Sequence, residues 1–247
     1  MAKKIFSFLI LVLFLLSLTG CGDKKEMAPR SPVESSELQF AQPQEGDPIA
    51  IFQTSMGEIH VRLYPELAPM AVDNFIGLAQ QGYYNGAIFH QVVYGSYIQS
   101  GDATGTGNGS ATIWNADGFP LEANDTLRHY TGALCVAFDQ DSQSGTSQFY
   151  FITTPAGNVA GSVLNQMESV GYSQEEIDAY KTAGGLPQLD NTDTVFGQIY
   201  QGQSIADAIS CVQVDEENKP IQNVTITSVT ITTYTPPAPE TTDQPQE

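Results

Sequence analysis

Apolar patterning occupies only the middle of this chain and is broken into short runs, which limits what the chain can fold into. Between about residue 48 and residue 234, runs such as IFHQVV, GALCVAF and QFYFIT are separated by glycines. Such runs are typical of strands, and few stretches have helical spacing. Because strands do not alternate regularly with helices, the pattern predicts a mainly β domain built as an antiparallel barrel.

The start of this domain has a hairpin pattern. Two alternating runs flank a turn at residues 55–57, and the apolar residues of the second run share one face. A later helix is indicated by Ser173, a good N-terminal cap, followed three residues on by Glu176. The predicted helices cover residues 69–82, 173–182 and 204–211.

The first 20 residues predict an export signal. Lys3 and Lys4 precede an apolar run at residues 5–16, which is too short to span a bilayer because a spanning helix needs about 20 apolar residues. The following Leu-Thr-Gly-Cys resembles the lipobox of bacterial lipoproteins. We therefore expect residues 1–20 to be removed and Cys21 to be lipidated. An ordinary signal or a membrane anchor, with Cys21 incidental, is the alternative.

Both flanks of the domain are polar and rich in proline. Residues 21–47 and 235–247 lack apolar periodicity, so we expect a flexible tether before the domain and a disordered tail after it. Residues 48–234 remain as one domain, long enough to bury a core. This arrangement predicts a protein that lies outside the cytoplasm and is anchored to the cell membrane through its N-terminal lipid.

The charge of the chain restricts its partners. The formal net charge is −19, and removal of Lys3 and Lys4 with the signal would lower it by two. Such a surface repels nucleic acid and anionic lipid headgroups, so we expect no nucleic-acid partner and expect the lipid to provide the membrane attachment. The same charge favours a monomer.

Two cysteines remain after Cys21. A disulfide between Cys135 and Cys211 is compatible with an exported protein, but both residues lie in apolar contexts. Buried free thiols are the favoured interpretation.

Most catalytic motifs are absent from the sequence. There is no Gly-x-Ser-x-Gly elbow, no Walker loop and no cysteine spacing that would hold a metal, so we expect no metal and no other cofactor. Residues 101–109 are glycine-rich like a phosphate-binding loop, but no helix follows and no basic residue is near, so a flexible loop is expected. His90 has no acid or nucleophile close in sequence and is interpreted as structural.

Several blocks of the sequence resemble cyclophilins, a family of peptidyl-prolyl cis-trans isomerases. They are TSMGEIHVRLYPELAPMAVDNFIGLAQQGYYNG, IFHQVVYGSYIQSGD, TSQFYFIT and LDNTDTVFGQI, in the family's order and spacing. An insertion at about residues 155–188 separates the last two. The resemblance implies a closed eight-stranded antiparallel barrel capped by two helices, here with a helical insertion. It also implies catalysed rotation about X–Pro bonds, which needs no nucleophile, metal or cofactor.

The resemblance further implies a peptide-binding site. Gln91 and Gln99 fall at catalytic positions, and Gln91 stands where the family has its arginine. The substrate-binding positions are occupied by Ser96, Tyr97, Ala137, Gln148, Tyr150, Leu189 and Asp193.

Three of these positions depart from the family pattern. Gln91 lacks the fixed charge and forked donors of arginine. Asp193 stands at the usual histidine, and Gln188 at a position where tryptophan often precedes Leu-Asp. Because losing one preorganised donor typically costs about 10²–10³ in rate, we expect an isomerase of reduced activity. The acidic Asp193 should favour basic or neutral peptides.

Two further functions are left open. The expected partners of an isomerase are proline-containing segments of exported proteins, but the same pocket with Gln91 and Asp193 also suits a non-catalytic peptide-binding or scaffold module. An acid–base hydrolase using clustered carboxylates rests only on acidic composition, which a solvated surface explains better. The insertion at residues 155–188 is a candidate lid or docking surface.

Overall fold

The computed structural model of the protein describes residues 25–114, 118–139 and 143–237. The predicted signal at residues 1–20, the predicted lipidation site Cys21 and all but the first three residues of the predicted tail at 235–247 lie outside the described residues.

One eight-stranded antiparallel sheet forms the body of the domain. Its strands are β1 (Pro48–Thr54), β2 (Gly57–Leu63), β3 (Gln91–Val93), β4 (Tyr97–Ser100), β5 (Ala133–Val136), β6 (Phe149–Ile152), β7 (Val195–Gln201) and β8 (Ile226–Thr233). They lie in the order β3-β4-β6-β5-β7-β2-β1-β8. The predicted hairpin is confirmed, with Thr54 opposite Gly57. Gly57 has a φ of 134°, which a residue with a side chain rarely adopts.

The structure does not show the predicted closed barrel. In the described part of the chain, the edge strands β3 and β8 are not paired with each other, and the sheet is a curled half-barrel. A single bridge joins Ile88 to Thr225 beside these edges. The edge is occupied by a loop, since the backbone N–H of Val92 donates to the carbonyl oxygen of Asn218 at 2.8 Å. A loop rather than a strand therefore provides the hydrogen-bond acceptor for the backbone of β3 at this position.

The described part of the chain has four α-helices, and the three predicted ones are among them. They are α1 (Pro69–Gln80), α2 (Gly161–Met167), α3 (Gln174–Ala183) and α4 (Gln203–Ser210). The predicted cap of α3 is confirmed, because Ser173 and Glu176 accept each other's backbone N–H groups. The short helix α2 was not predicted, and it begins without a side-chain cap. None of the described helices is long and apolar enough to cross a membrane.

The core lies on the inner face of the curled sheet. Phe52 on β1 is fully buried, and its ring lies 5.2–5.6 Å from those of Phe75, Phe149 and Phe151. Helices α1 and α4 cover this face and contribute Phe75 and Ile209 to the same cluster. Helices α1 and α4 therefore pack on the core, and a second, smaller apolar cluster includes Cys135 and Tyr150 of the outer face.

Part of the segment predicted as a flexible tether contacts the domain. Arg30 forms two hydrogen bonds of 2.7 Å with the carboxylate of Asp207 on α4. Further along, Gln39 is buried, and its amide both donates to and accepts from the backbone of Arg128. Phe40 packs on Tyr130 at a ring distance of 4.9 Å. Residues 25–47 therefore lie along the domain rather than extending away from it.

Candidate active site

One row of side chains crosses the outer face of the sheet. The register places Gln91 of β3 opposite Gln99 of β4, which in turn lies opposite Tyr150 of β6. Tyr150 lies opposite Cys135 of β5. Directly opposed residues of antiparallel strands project to the same face. The strand pairing therefore brings together residues that are far apart in the sequence.

A cleft of about 610 Å³ opens over this row. Most of the residues predicted to bind substrate line it, together with Gln99. Those seven residues are Tyr97, Gln99, Ala137, Gln148, Tyr150, Leu189 and Asp193.

The other two predicted residues lie next to the cleft and do not line it. Gln91 is half-buried on the edge strand β3, beside Gln99. Ser96 lies in the turn before β4, where its carbonyl oxygen accepts from the N–H of Thr153 at 2.8 Å. Ser96 therefore has a backbone role in this structure. Gln188, at the position of the family's tryptophan, is exposed.

Tyr150 and Asp193, which both line the cleft, form a partly buried hydrogen bond. The Tyr150 hydroxyl donates to Asp193 Oδ2 at 2.5 Å, and the Tyr150 ring packs edge-on against that of Tyr97 at 5.6 Å. Burial raises the pKa of the Asp193 carboxyl, and the bond from Tyr150 partly opposes this rise. Burial also raises the pKa of Tyr150 well above its ordinary value, so the hydroxyl remains a donor at neutral pH.

The polar side of the cleft is a chain of amides. Gln99 Nε2 donates to Gln148 Oε1 at 2.9 Å, and Gln148 Nε2 donates to the carbonyl oxygens of Gly107 and Gly109, both at 2.9 Å. Because both donors of Gln148 are used, the orientation of its amide is determined. Gln148 in turn orients Gln99, whose side-chain oxygen has no hydrogen-bond partner among the described residues and can accept from a peptide N–H.

The glycine-rich loop at residues 101–109 folds around a carboxylate of the chain itself. Asp102 is fully buried and accepts from the backbone N–H groups of Thr104, Thr106 and Gly107 at 2.7–3.0 Å. A Cβ on Gly109 would lie 2.1 Å from Asp102 Oδ1, so only glycine fits there. The loop therefore presents no N–H cradle to a phosphate, and the bonds to Asp102 give it a defined conformation.

Several lining residues were missed by the sequence analysis. The glycine spacing of the loop was a usable signal for some of them, but no periodicity marked the irregular segments beside β5 and β6. The missed residues are Gly107, Asn108, Ser110, Phe138, Asp139, Ser144 and Thr146.

The two cysteines and His90 lie in environments typical of structural residues rather than catalytic ones. Cys135 and Cys211 are free, as predicted, although only Cys135 is fully buried. Burial raises the pKa of the Cys135 thiol well above its usual range, which makes it unreactive. His90 is buried, and burial lowers its pKa. Within the described ranges, no group of three or more His, Cys, Asp or Glu side chains is placed to hold a metal ion.

Comparison with known proteins identifies the family of this chain. Residues 49–231 match the family described as "Cyclophilin type peptidyl-prolyl cis-trans isomerase/CLD". The chain belongs to the cyclophilin family. It is 35% identical over 191 residues to a Staphylococcus aureus (strain USA300) protein named "Putative peptidyl-prolyl cis-trans isomerase", covering 76% of this chain and 93% of that protein. A Staphylococcus epidermidis protein of the same name is 34% identical over 184 residues, covering 73% and 90%.

Solved cyclophilins share the fold. The crystal structure of a Cryptosporidium parvum cyclophilin type peptidyl-prolyl cis-trans isomerase has a TM-score of 0.60 and 26% sequence identity. The comparison covers 78% of this chain and 99% of that one. A second structure, obtained in the presence of the dipeptide Ala-Pro, has a TM-score of 0.59 and 26% identity and covers 74% and 98%. This cyclophilin thus belongs to a family of enzymes, and its cleft lies on the outer face of its sheet.

The buried Asp102 carboxylate should make the wall of the cleft sensitive to acid. Hydrogen bonds from Thr104 and Gly107 hold its pKa below the usual range of a carboxyl group, despite burial. Its contribution to stability is therefore complete above the unfolded pKa of about 4 and is lost as the pH falls below that value. We expect Asp102→Asn to lower the free energy of unfolding by about 2–3 kcal/mol at pH 7, and by much less near pH 2.

Urea unfolding at both pH values measures this difference. Asp215→Asn is the matched control. Asp215 accepts two backbone N–H bonds of 2.9 Å, but it does so in an exposed turn, so this variant should lower the free energy of unfolding only slightly. An equal loss in both variants would contradict the burial argument.

Proposed function

We propose that this cyclophilin is a peptidyl-prolyl cis-trans isomerase of reduced activity that assists the folding of exported proteins at the outer face of the membrane. The observation that carries the proposal is the cleft itself, which gathers seven of the nine predicted catalytic and substrate-binding residues. A related cyclophilin studied with Ala-Pro supports a proline-containing ligand for such a cleft. Family membership supports the reaction.

The cleft suits rotation about an X–Pro bond. The barrier of roughly 20 kcal/mol arises from amide resonance, so a catalyst must stabilise a twisted, single-bonded geometry. The rings of Tyr97 and Tyr150 and the side chain of Leu189 offer an apolar surface to a proline ring. Gln99 can accept a hydrogen bond from the flanking peptide and hold it while the bond turns.

Gln91 is the reason to expect weak catalysis. It lies beside Gln99 where an arginine would place a charged, forked donor close to the prolyl nitrogen. A neutral amide still donates, but charge-assisted hydrogen bonds are about twice as strong. The twisted state therefore receives less stabilisation, and a loss on the order of 10²–10³ in rate relative to an arginine-bearing site follows.

Restoring the charge tests this account. In a coupled isomerisation assay on a panel of X–Pro peptides, we expect the wild-type protein to accelerate isomerisation weakly and in proportion to its concentration. Gln91→Arg should raise kcat/KM by about 10²–10³-fold, because the remaining cleft residues are already in place. Gln91→Lys restores a positive charge without the forked donors of a guanidinium group, so it should raise kcat/KM by less.

The same assay decides between catalysis and binding alone. Gln91 and Asp193 both favour the alternative of a membrane-tethered module that binds proline-containing segments without turning them over. A folded wild-type protein with no acceleration, and no gain from Gln91→Arg, would support that alternative if X–Pro peptides still bind. An active wild-type protein excludes it.

The charge of the cleft should set its peptide preference. Asp139 and Asp193 are among the described lining residues, and none of those residues is Lys, Arg or His. Unit charges a few ångströms apart interact more strongly in a partly buried cleft than in bulk water. We therefore propose that peptides with a basic residue beside proline are preferred over acidic ones.

Asp193→Asn tests this preference. We expect wild-type kcat/KM, or affinity if turnover is absent, to be about 3–10-fold higher for Lys-flanked than for Glu-flanked peptides at low salt, and the ratio to fall towards 1 in the variant. Because burial raises the pKa of Asp193, the wild-type preference should decline as the pH falls through that raised pKa. Asp178→Asn removes the same charge on α3, outside the cleft lining, and should leave the ratio unchanged.

The proposed location rests on the lipobox-like sequence before Cys21. If the lipid is attached there, Lys25 follows only four residues later, and its ammonium group lies 4.9 Å from the ring centroid of Tyr94. An extended chain spans at most about 3.6 Å per residue, so four residues reach roughly 14 Å. A free tether of the whole segment 21–47 would have a root-mean-square span of about 30 Å. The contacts of Arg30 and Gln39 would thus keep this cyclophilin close to the bilayer.

Cys21→Ser tests the anchor. We expect the wild-type protein to sediment with membranes and to be released by detergent, and the variant to lose its membrane attachment. Cys211→Ser is the control, because it removes a half-buried free thiol and keeps Cys21. Membrane retention of Cys21→Ser equal to that of the control would overturn the proposed lipid attachment.

A further inference from the structure

One short loop carries two of the cleft residues. A single 3₁₀ turn, Pro187–Leu189, presents Leu189 to the cleft, and Asp193 follows four residues later. The loop has little regular structure of its own, and Asn191 within it has a φ of 65°. Its internal bonds run from the N–H groups of Thr192 and Asp193 back to the carbonyl oxygen of Leu189. The position of this wall therefore depends on what holds the loop from behind.

Asp190 holds it. The Asp190 side chain is 1% exposed, and it points away from the cleft into the domain. Its Oδ1 accepts from the backbone N–H and from Nδ1 of His129, both at 2.8 Å. Its Oδ2 accepts from the hydroxyls of Tyr172 and Tyr180, both at 2.7 Å. A carboxylate has about four acceptor sites, so every one of them is used.

Two of these four donors come from the insertion. Tyr180 lies on α3, and Tyr172 lies in the turn that precedes it. Tyr172 also donates to the carbonyl oxygen of Pro187 at 3.3 Å, in the same loop. Helix α3 is itself attached to the domain by the Arg128–Glu176 ion pair at 2.6 Å, with Arg128 9% exposed. The insertion thus contacts the cleft wall from the side opposite the cleft.

The insertion contributes no side chain to the described lining of the cleft. The described lining residues include Leu189 and Asp193 but no residue from 155–188. We propose that Asp190 is a positioning residue for peptide binding, and that the insertion acts on the reaction through it by fixing Leu189 and Asp193. This inference rests on the proposed function of the cleft, and it assigns the insertion a role as a support behind the substrate-binding wall.

Removing the two insertion hydroxyls tests the proposal. In the double variant Tyr172→Phe, Tyr180→Phe, both rings remain while Asp190 Oδ2 loses its donors. A looser wall weakens peptide binding in the ground state and the twisted state alike, which raises KM and leaves kcat unchanged. We expect the KM for X–Pro peptides to rise by about 3–10-fold and kcat to change by less than about 2-fold.

Tyr130→Phe is the matched control. Tyr130 is fully buried in the same aromatic cluster, 4.5 Å from the Tyr180 ring, and its hydroxyl has no hydrogen-bond partner in the described structure. Its removal changes the cluster without touching Asp190, so KM should stay at the wild-type value. If the double variant does not fold, Tyr172→Phe alone serves, because Tyr172 is only partly buried and lies at the edge of the cluster.

A readout that needs no substrate separates this inference from the proposed function. The methyl resonances of Leu189 in the ligand-free protein report the wall directly, and we expect them to shift or broaden in the tyrosine variants and to remain unchanged in Tyr130→Phe. If the wild-type protein binds peptides without turnover, the dissociation constant takes the place of KM. Wild-type Leu189 resonances together with wild-type KM or dissociation constant in the folded double variant would overturn the proposal.

Discussion

The pairing register of β4, β6 and β5 is the constraint on which the rest of this cyclophilin depends. Side chains alternate between the two faces of a strand, so a slip of one residue would exchange the faces. In the observed register Phe149 and Phe151 point into the core, while Gln99 and Tyr150 point to the cleft. One set of backbone hydrogen bonds therefore builds the core and the candidate active site together.

Buried carboxylates organise the irregular parts of the molecule. Asp102 gathers the N–H groups of the glycine-rich loop, Asp190 anchors the cleft wall to the insertion, and Asp207 receives Arg30 from the N-terminal segment. Each is satisfied by several donors, which burial of a charged group requires. In this acidic chain, some carboxylates are therefore buried and hydrogen-bonded. They fix the position of segments that lie outside the strands and helices.

The cleft combines a preserved shape with altered chemistry. Apolar and amide residues expected for a proline-containing peptide surround one space, yet the fixed positive charge at position 91 is replaced by an amide and a carboxylate lies at position 193. Substrate binding by shape and electrostatic stabilisation of the twisted bond are separate contributions. Under the proposed function, this chain retains residues for the first contribution and weakens the second, so catalysis is the quantity that a substitution at position 91 should change most.

Local sequence patterns determined much of this protein. The hairpin at the start of the domain, the capping of α3 by Ser173 and the three predicted helices follow from interactions between residues close in the chain. The resemblance located half of the described cleft lining, because each matched block fixes the positions of its residues along a strand or loop. The open edge between β3 and β8, the pairing of Asp190 with Tyr172 and Tyr180, and the packing of residues 25–47 on the domain were decided only by the tertiary structure. Each depends on groups that are distant in sequence, and no local periodicity encodes which buried donor meets which acceptor.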